Sequence, residues 1–237
     1  MWCKLESRVS SVHIQSLVER IGSLGSGDEG EEFFHKDFFS AHQDADGNQD
    51  ILKAIHLDVW PEIWERVGFD KPVVDHASLL IKRVGGAATG LHQDRAYWET
   101  RETKPTLFSV WIALETMTEE KGGLMLFGPN QVDATHLSSF NQGSLFPHES
   151  VEHAPGEFPL LIAELIAPGV KQSMEFVALE GGEALAFDSF EPHMTGPNQD
   201  ATPRLAMKIA YCEGFNKARY LISTDELEGC ALARTPG

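Results

Sequence analysis

The spacing of apolar residues in the first part of the chain predicts two helices. Apolar side chains recur at roughly helical intervals between residues 9 and 21, and small, flexible residues at 22–30 then break the pattern. A polar, turn-rich stretch follows at 40–50. Over residues 51–67 the apolar residues recur at a helical spacing, which predicts an amphipathic helix that must accommodate Pro61.

From residue 72 onward the pattern changes to short apolar runs separated by Gly, Pro and Asn. These runs are Leu79–Ile81, Leu107–Leu114, Leu124–Phe127, Phe176–Leu179, Ala184–Phe187 and Leu205–Tyr211. Such a series of short strands is typical of all-β sandwiches and jelly rolls. We therefore predict an all-β core over about residues 72–215 and flanking helices in the N-terminal part, about residues 1–70, within one domain spanning 1–237.

The segment from Gln131 to Pro168 is rich in Ser, His and Pro and has weak periodicity. A loop of this length in a compact domain usually covers a functional opening, so we interpret it as a lid. Its histidines, His136, His148 and His153, could bind substrate or transfer protons, although solvated loop side chains are the simpler interpretation.

Composition and charge exclude several classes of partner. The chain has 237 residues, of which 42% are hydrophobic, and this is enough for one sizeable core. Its 19 basic and 36 acidic side chains give a formal charge of -17, and the resulting field repels phosphate backbones and anionic membrane surfaces. We therefore expect no nucleic acid and no membrane partner, and an anionic cosubstrate would have to be bound by a few local cations.

The cysteines Cys3, Cys212 and Cys230 are scattered and show no Cys-x-x-Cys spacing, so the sequence predicts neither a disulfide framework nor a structural zinc site. The first residues lack the apolar core of a signal peptide, and no apolar run reaches the roughly eighteen residues of a membrane span. We expect a cytoplasmic protein with reduced thiols that acts as a monomer or homodimer.

A His-x-Asp dyad, which places two potential metal ligands on one face of a strand, occurs at positions 42–44, 56–58 and 92–94. The first copy lies in the polar stretch, where no scaffold would fix the ligands. The second lies on the predicted helix, where side chains two positions apart point about 200° apart. The third follows a strand-like run and a Gly-Gly turn, a setting typical of a ligand-bearing strand edge. We therefore select His92 and Asp94.

A third ligand is available in His193, which follows the strand-like run Gly182–Phe187. Two imidazoles and one carboxylate form the facial triad of non-haem Fe(II) oxygenases and leave adjacent coordination positions open for a chelating oxoacid and dioxygen. The same ligands also suit Zn(II), so a zinc hydrolase is an alternative, although no glutamate stands beside them as an obvious general base.

Arg204 follows His193 with a predicted turn, residues 195–198, between them. We expect two antiparallel strands to bring the two residues together. The guanidinium would then offer a planar fork to a carboxylate and would be the local cation that an acidic protein needs. A surface arginine in an ion pair is the plain alternative for this residue taken singly.

Several segments carry a family resemblance, and they are Leu91–Trp98, Val110–Glu115, Gly122–Leu124 and His193–Arg204. In their order and approximate spacing over residues 78–213 they resemble the phytanoyl-CoA dioxygenase family. The resemblance implies a double-stranded β-helix, a cupin-like jelly roll. It also implies Fe(II) bound by His92, Asp94 and His193, with 2-oxoglutarate and O2 as cosubstrates.

The resemblance assigns further residues to the pocket. Arg204 would bind the distal carboxylate of 2-oxoglutarate, with Thr195, Trp111 and Ser109 as further cofactor-binding residues, and Gln93 matches a position near the substrate. Three residues next to the ligands could also contact substrate, although ordinary core packing is at least as good an interpretation. These are Arg95, Tyr97 and Trp98.

The chemistry that the resemblance implies is oxidation of an unactivated C–H bond of a small organic molecule, in natural-product or lipid metabolism, with succinate and CO2 as coproducts. Asp94 stands where halogenating relatives carry a small residue, which favours hydroxylation. Neither the substrate nor the step after hydrogen abstraction follows from the resemblance. Two alternatives stay open: a non-catalytic jelly-roll binding module, and a subunit that acts only in a heterodimer with a paralogue.

Overall fold

The structure, a computed structural model, describes residues 1–23, 33–37, 45–67, 72–97, 106–132, 142–152, 159–213 and 222–223. The helices of these parts are α1 (Ser11–Ser23), α2 (Ala45–Val67) and α3 (Ala167–Lys171). The strands are β1 (Trp2–Arg8), β2 (Phe33–Asp37), β3 (Pro72–Lys82), β4 (Thr89–His92), β5 (Leu107–Ala113), β6 (Leu124–Phe127), β7 (His148–Ser150), β8 (Leu160–Ile162), β9 (Met174–Phe176), β10 (Glu183–Asp188), β11 (His193–Thr195), β12 (Arg204–Glu213) and β13 (Ile222–Ser223).

Two antiparallel sheets build the core. The larger follows the order β1-β10-β5-β12-β3-β13, with β2 also paired to β3, and the smaller follows the order β4-β11-β6-β9. Side chains alternate along β5, so Val110 and Ile112 pack towards the helices, whereas Trp111 packs in one cluster with Leu124 and Leu126 of β6. The two sheets thus enclose an interior between them, and the fold is the predicted double-stranded β-helix.

Helix α2 covers the outer face of the larger sheet. Its residues Leu52, Ile55, Val59 and Ile63 are fully buried and share one apolar cluster with side chains of β5 and β12. Their spacing is the amphipathic pattern that the sequence shows, and Pro61 lies inside the helix as expected. Removal of these apolar side chains from water stabilises the contact between helix and sheet.

The N-terminal part contains strands as well as helices, so the expectation of a helical region over residues 1–70 needs correction. Residues Trp2–Arg8 form β1, which extends the larger sheet through β10 and mostly alternates buried with exposed side chains. Helix α2 begins at Ala45 and takes in part of the stretch 40–50 that was expected to be turns. Acidic and polar residues are favourable in the first turn of a helix, so their presence does not exclude one.

The predicted strand Phe176–Leu179 is misplaced. Strand β9 comprises Met174–Phe176, and Leu179 makes an isolated bridge to Met117. Val177 and Leu179 are buried in the cluster between the sheets. The run is apolar because its side chains are buried between the sheets, although its backbone forms only part of a regular strand.

The described parts of the segment interpreted as a lid are partly ordered into secondary structure. Strands β7 and β8 pair with each other, and α3 follows them. Ile162, Ala167 and Val170 form an apolar cluster with Leu91 of β4, so this segment packs directly beside a strand of the smaller sheet. Its action as a lid stays a prediction. Within the described residues, no helix has the length and apolar character needed to cross a membrane.

Candidate functional site

His92, Asp94 and His193 converge at one point between the two sheets. Their potential ligand atoms all lie within 4.8 Å of one another. Oδ1 of Asp94 lies 4.0 Å from Nε2 of His92 and 3.7 Å from Nε2 of His193. Atoms bound at about 2.1 Å to one ion are separated by about 3 Å, so a small contraction would place all three on a single metal ion.

Three elements deliver these side chains. His92 ends β4 and His193 begins β11, and the two residues are direct partners in the antiparallel pair. The dyad predicts His92 and Asp94 at one strand edge, but β4 ends at His92 and Asp94 begins a 3-10 turn, Asp94–Tyr97. The backbone N–H of Arg95 donates to the carbonyl of Ser189 at 2.7 Å and anchors this turn. The turn, and not the pleat of a strand, brings the carboxylate to the imidazoles.

The hydrogen bonds of the two imidazoles select the tautomer that a metal needs. Nδ1 of His92 lies 2.8 Å from the carbonyl of Gly90, and Nδ1 of His193 lies 3.0 Å from the carbonyl of Glu191. A carbonyl oxygen only accepts, so each Nδ1 carries the proton and each Nε2 presents a lone pair to the cluster. Burial lowers the pKa of both histidines, which keeps both rings neutral near pH 7.

The carboxylate of Asp94 has two different environments. Oδ2 accepts hydrogen bonds from the Ser109 hydroxyl and the Lys208 ammonium, each at 3.1 Å, whereas Oδ1 lies beside both histidine nitrogens and 3.2 Å from Lys208. Burial on its own would raise the pKa of Asp94, but the charge and hydrogen bonds of Lys208, together with the neighbouring imidazoles, outweigh it and hold that pKa below its usual range. Asp94 is therefore ionised and ready to bind a cation.

Arg204 lies in a pocket that also reaches the metal ligands. The pocket is lined by Leu80, Thr89, His92, Trp111, Leu124, Phe187, His193, Met194, Thr195, Arg204 and Lys208. Nη1 of Arg204 donates to the carbonyl of Gly122 at 2.9 Å, and its guanidinium carbon lies 5.9 Å from the ring centroid of Trp111. Burial lowers the pKa of Arg204 to about 10, so it stays a cation at neutral pH. Its buried Nε has no hydrogen-bond partner among the described residues.

The expected adjacency of His193 and Arg204 on paired antiparallel strands is wrong. Strand β11 belongs to the smaller sheet and β12 to the larger one, where β12 pairs with β3 and β5. The two residues instead line the pocket from opposite sheets. The turn predicted at 195–198 is part of a longer connection, residues 196–203, that carries the chain from one sheet to the other.

Thr195 and Ser109, both expected from the sequence to bind the cofactor, make hydrogen bonds to other residues of the site. Thr195 lines the pocket, and its hydroxyl accepts hydrogen bonds from Lys82 Nζ at 2.8 Å and from the backbone N–H of Thr89 at 3.2 Å. Ser109 lies at the metal end, where it donates to Asp94. Burial and the charge of Arg204 lower the pKa of Lys82 to about 7.

Gln93, expected near the substrate, is fully engaged in hydrogen bonds to the backbone. Its amide nitrogen donates to the carbonyls of Ser144, at 3.0 Å, and Phe190, and its amide oxygen accepts from the N–H of Phe146 at 2.7 Å. Gln93 lines a second cavity, of about 330 Å³, whose lining includes none of the three ligands. It therefore ties the segment 142–146 to the ligand turn.

Of the other residues expected to contact substrate, Arg95 and Tyr97 belong to the same 3-10 turn as Asp94. The guanidinium carbon of Arg95 lies 5.1 Å from the ring centroid of Phe190. The Tyr97 hydroxyl donates to the carbonyl of Leu160 at 3.3 Å and accepts from the same residue's N–H at 3.1 Å, and its ring lies edge-on to His92. Trp98 lies outside the described residues.

Of the histidines in the segment 131–168, His148 is held by hydrogen bonds and is not a solvated loop side chain. Its Nδ1 lies 2.7 Å from the carbonyl of Phe146, and its Nε2 accepts from the N–H of Gln93 at 3.2 Å. Burial lowers its pKa, which agrees with a neutral ring. His136 and His153 lie outside the described residues.

The dyad on α2 separates as helical geometry requires. His56 points into the core, where its Nδ1 lies 2.9 Å from the Tyr211 hydroxyl, whereas Asp58 accepts a hydrogen bond from the N–H of Ser10 at 2.8 Å. The dyad at 42–44 lies outside the described side chains. Only the copy at 92–94 therefore contributes to the described cluster.

Sequence reasoning missed Lys208 and Lys82, which both contact residues of the site. A signal was present for Lys208, because it is a charged residue inside the apolar run Leu205–Tyr211, an even number of positions from Arg204 and therefore on the same strand face. Lys82 gives a similar signal, because it is a charged residue directly after the apolar run Leu79–Ile81 of β3. The apolar composition of these strands indicates that Lys208 and Lys82 are buried, but it does not show which groups the two lysines contact.

The donor set fits a non-haem iron centre. Two neutral imidazoles and one ionised carboxylate occupy one side of a common point, and they belong to the ligand types that suit Fe(II) in oxygenases. The residues that orient them are also present, since each imidazole has a carbonyl acceptor and the carboxylate has two donors.

Comparison with known proteins agrees with this chemistry. The profile of the phytanoyl-CoA dioxygenase (PhyH) family matches residues 19–206, whereas no match was found among curated protein sequences. The epimerase SnoN in complex with Fe3+, alpha ketoglutarate and nogalamycin RO is similar in structure, with a TM-score of 0.58 and 15% identity over 90% of this chain and 78% of SnoN.

Two further solved structures share the fold. EvdO2 from Micromonospora carbonacea var. aurantiaca, complexed with 2-oxoglutarate, has a TM-score of 0.56 and 19% identity over 90% of this chain and 86% of its own. EctD from S. alaskensis in its apoform has a TM-score of 0.57 and 14% identity over 90% of this chain and 72% of its own. The chain belongs to the phytanoyl-CoA dioxygenase family of 2-oxoglutarate-dependent non-haem iron enzymes.

Proposed function

We propose that this protein is a dioxygenase that hydroxylates an unactivated C–H bond of a small organic molecule, with succinate and CO2 as coproducts. In this proposal His92, Asp94 and His193 hold Fe(II), and Arg204 binds the distal carboxylate of 2-oxoglutarate. The observation that carries the proposal is one pocket that is lined both by the two imidazoles and by the buried guanidinium.

The proposal gives the metal ligands, Arg204 and Trp111 each a defined role. The imidazoles donate from Nε2 because their Nδ1 protons are engaged, and Asp94 supplies the negative charge that balances part of the metal's charge. Arg204 offers donors to a carboxylate, and Trp111 forms the wall beside it. Iron with chelated 2-oxoglutarate supplies the activation of dioxygen that C–H oxidation requires.

The substrate would approach from the side of the ligand turn that carries Arg95 and Tyr97. Tyr97 places an aromatic ring edge-on beside His92, so a molecule with an apolar reacting carbon would fit this side. SnoN is described in complex with the natural product nogalamycin RO, and this supports a natural-product substrate as the first class to test.

A zinc hydrolase with the same three ligands is less well supported. Among the described residues, those that line the pocket include no carboxylate that could act as a general base beside the ligands. In a hydrolase, the buried guanidinium of Arg204 would also have no evident role in binding or catalysis. A binding module or a subunit paired with a paralogue would retain the pocket, and each predicts no turnover by the purified chain alone.

The test is an oxidation assay under 18O2. The purified protein, Fe(II) and 2-oxoglutarate are incubated with pools of natural products and lipids, and succinate and products are followed by mass spectrometry. His193→Ala is the matched control because it removes one proposed ligand. We expect one pool to increase succinate formation and to yield a product that contains one 18O atom.

Each other outcome counts against a defined part of the proposal. A changed product without 18O, formed only when 2-oxoglutarate is present, would replace hydroxylation by epimerisation, desaturation or cyclisation. Succinate formation equal to that of His193→Ala in every pool, and in the absence of any pool, would contradict an oxygenase that acts alone.

A further inference from the structure

Lys208 is a buried cation at the metal end of the pocket. It lies on β12 four residues after Arg204, so the two side chains leave the strand on the same face, about 13 Å apart at their Cα atoms. Both residues line the pocket. The pocket therefore has a cation at each end, Arg204 far from the proposed iron and Lys208 beside it.

The contacts of Lys208 are all directed to one proposed ligand. Its Nζ lies 3.1 Å from Oδ2 and 3.2 Å from Oδ1 of Asp94, and these are the hydrogen bonds that the described residues give it. Ser109 donates to Oδ2 from the other side at 3.1 Å. Oδ2 therefore has two donors, whereas Oδ1, among the described residues, accepts from Lys208 alone and lies nearest the two histidine nitrogens.

A contribution to stability alone does not explain this ion pair. Burying a lysine and an aspartate costs desolvation energy that their attraction often fails to offset, so a buried pair is weak support for a stabilising role. Leu80, Leu124 and Phe187 line the same pocket, so an apolar residue at position 208 would have had apolar neighbours. The pair instead sets charge and orientation at the ligand carboxylate.

We propose that Lys208 is a positioning residue whose charge beside Asp94 weakens metal binding while strengthening oxoacid binding. The inference rests on the proposed function. A positive charge next to the ligand carboxylate repels a divalent ion, and the same charge attracts the anionic chelating end of 2-oxoglutarate. One side chain thus shifts the two affinities in opposite directions.

The experiment measures both affinities with Co(II) as the metal probe, which avoids oxidation during the titration. Metal affinity is obtained by competition with a chelator, and 2-oxoglutarate affinity by titration of the Co(II)-loaded protein. The variants are Lys208→Met and Lys208→Gln, which remove the charge, and Lys208→Arg, which keeps it. Lys4→Met is the matched control, because it removes one exposed lysine whose amine donates to the carbonyl of Ala178.

We expect Lys208→Met and Lys208→Gln to bind Co(II) about tenfold more tightly and 2-oxoglutarate about tenfold more weakly. We expect Lys208→Arg and Lys4→Met to stay within about threefold of the unmodified protein in both titrations. Opposite shifts in the two affinities are the signature, because a purely structural lysine would weaken both when removed.

Two results would overturn the inference: a parallel loss of both affinities in a variant that retains the native circular dichroism spectrum, or no change in either. If Lys208→Met does not fold, Lys208→Gln and Lys208→Arg decide the question, since they differ mainly in charge. Failure of the unmodified protein to bind Co(II) or 2-oxoglutarate would instead contradict the proposed function, so the two failures are distinguishable.

Discussion

His92 and His193 face each other directly across the antiparallel pair of β4 and β11, and the centroids of their rings lie 4.1 Å apart. Successive side chains of a strand point to opposite faces, so a shift of one residue in this register would turn one imidazole away from the cluster. The convergence of the two imidazoles therefore depends on the register of β4 and β11. The pocket as a whole also depends on the residues that hold the two sheets in position relative to each other.

Gly122 is one residue that holds the two sheets in position, at the end of the pocket where Arg204 lies. It has a φ of 68°, and a Cβ at this position would lie 2.8 Å from the carbonyl oxygen of Pro197 and closer still to that of Gly196. Its carbonyl accepts the hydrogen bond from Arg204. Gly122→Ala must therefore strain the backbone and displace the acceptor.

We expect Gly122→Ala to weaken 2-oxoglutarate binding about tenfold or more while metal binding changes by less than about threefold. Isothermal titration of the metal-loaded protein measures the first quantity, and chelator competition the second. Gly169→Ala on α3 is the control, because a Cβ there has no neighbour within 4 Å. Equal effects on metal and 2-oxoglutarate would show that Gly122 does not act through Arg204.

Gln93 provides a test of how the ligand turn is connected to the segment 142–146. Gln93→Ala would remove two donors and one acceptor from buried or half-buried backbone groups, at a cost of about 1–3 kcal/mol for each group left unsatisfied. We expect a lower melting temperature and faster hydrogen exchange at the N–H of Phe146, whereas Gln15→Ala on the surface of α1 should change neither. Unchanged exchange at Phe146 would contradict this connection.

The buried ring of His56 predicts loss of stability in acid. Burial lowers the pKa of His56 to about 3 in the folded protein, whereas the ring titrates near 6.5 when unfolded. Between these values the unfolded chain binds more protons, so the free energy of unfolding falls as pH decreases, by at most about 1.4 kcal/mol per pH unit. Urea unfolding of the unmodified protein and of His56→Gln from pH 7 to pH 4 measures the effect.

The difference between these two unfolding curves isolates the histidine from the carboxylates that titrate in the same range. We expect the free-energy advantage of the unmodified protein over His56→Gln to shrink steadily as the pH is lowered. A difference independent of pH would mean that the ring is not held neutral against Tyr211.

Lys82 predicts a pH effect of the same sign in alkali. Its pKa is lowered to about 7 by burial and by the charge of Arg204, whereas a lysine in the unfolded chain titrates near 10.5. Between these values the unfolded chain again binds more protons, so the contribution of Lys82 to stability increases as pH rises from about 7 towards 10.5. The measurement is urea unfolding from pH 7 to pH 10 for the unmodified protein and Lys82→Met.

We expect the unmodified protein to gain stability relative to Lys82→Met as pH rises, and Lys4→Met, which alters an exposed lysine, to show no such trend. A constant difference between the unmodified protein and Lys82→Met would place the titration of Lys82 outside this range.

The sequence predicts much of the fold and the cluster because those features leave local patterns. The spacing of apolar residues on α2, the apolar run of β5 and the position of His92 after a strand are all readable within a few neighbouring residues. Local context selects one of the three dyads and the spacing after His193 points to Arg204, and the resemblance to a known family implies the same residues. The family match and the observed convergence of His92, Asp94 and His193 agree with that choice.

The features that sequence reasoning missed depend on contacts between distant segments. Lys208 meets Asp94, which lies 114 positions earlier in the chain, and this contact exists only because two sheets pack face to face. The prediction that His193 and Arg204 lie on paired strands is wrong for the same reason. A short spacing in the sequence does not reveal that the chain passes from one sheet to the other between them. The 3-10 turn at Asp94 departs from the strand geometry that a His-x-Asp pattern suggests.

The most direct test of the central claim is an anaerobic titration of the purified protein with Fe(II) and 2-oxoglutarate, monitored by visible absorption. The account predicts a metal-to-ligand charge-transfer band that saturates at one iron and one 2-oxoglutarate per chain, is lost in His193→Ala, and requires higher 2-oxoglutarate concentrations in Arg204→Ala. A correctly folded, unmodified protein that gives no such band would contradict the claim that His92, Asp94 and His193 hold an iron ion with coordination positions open to the oxoacid.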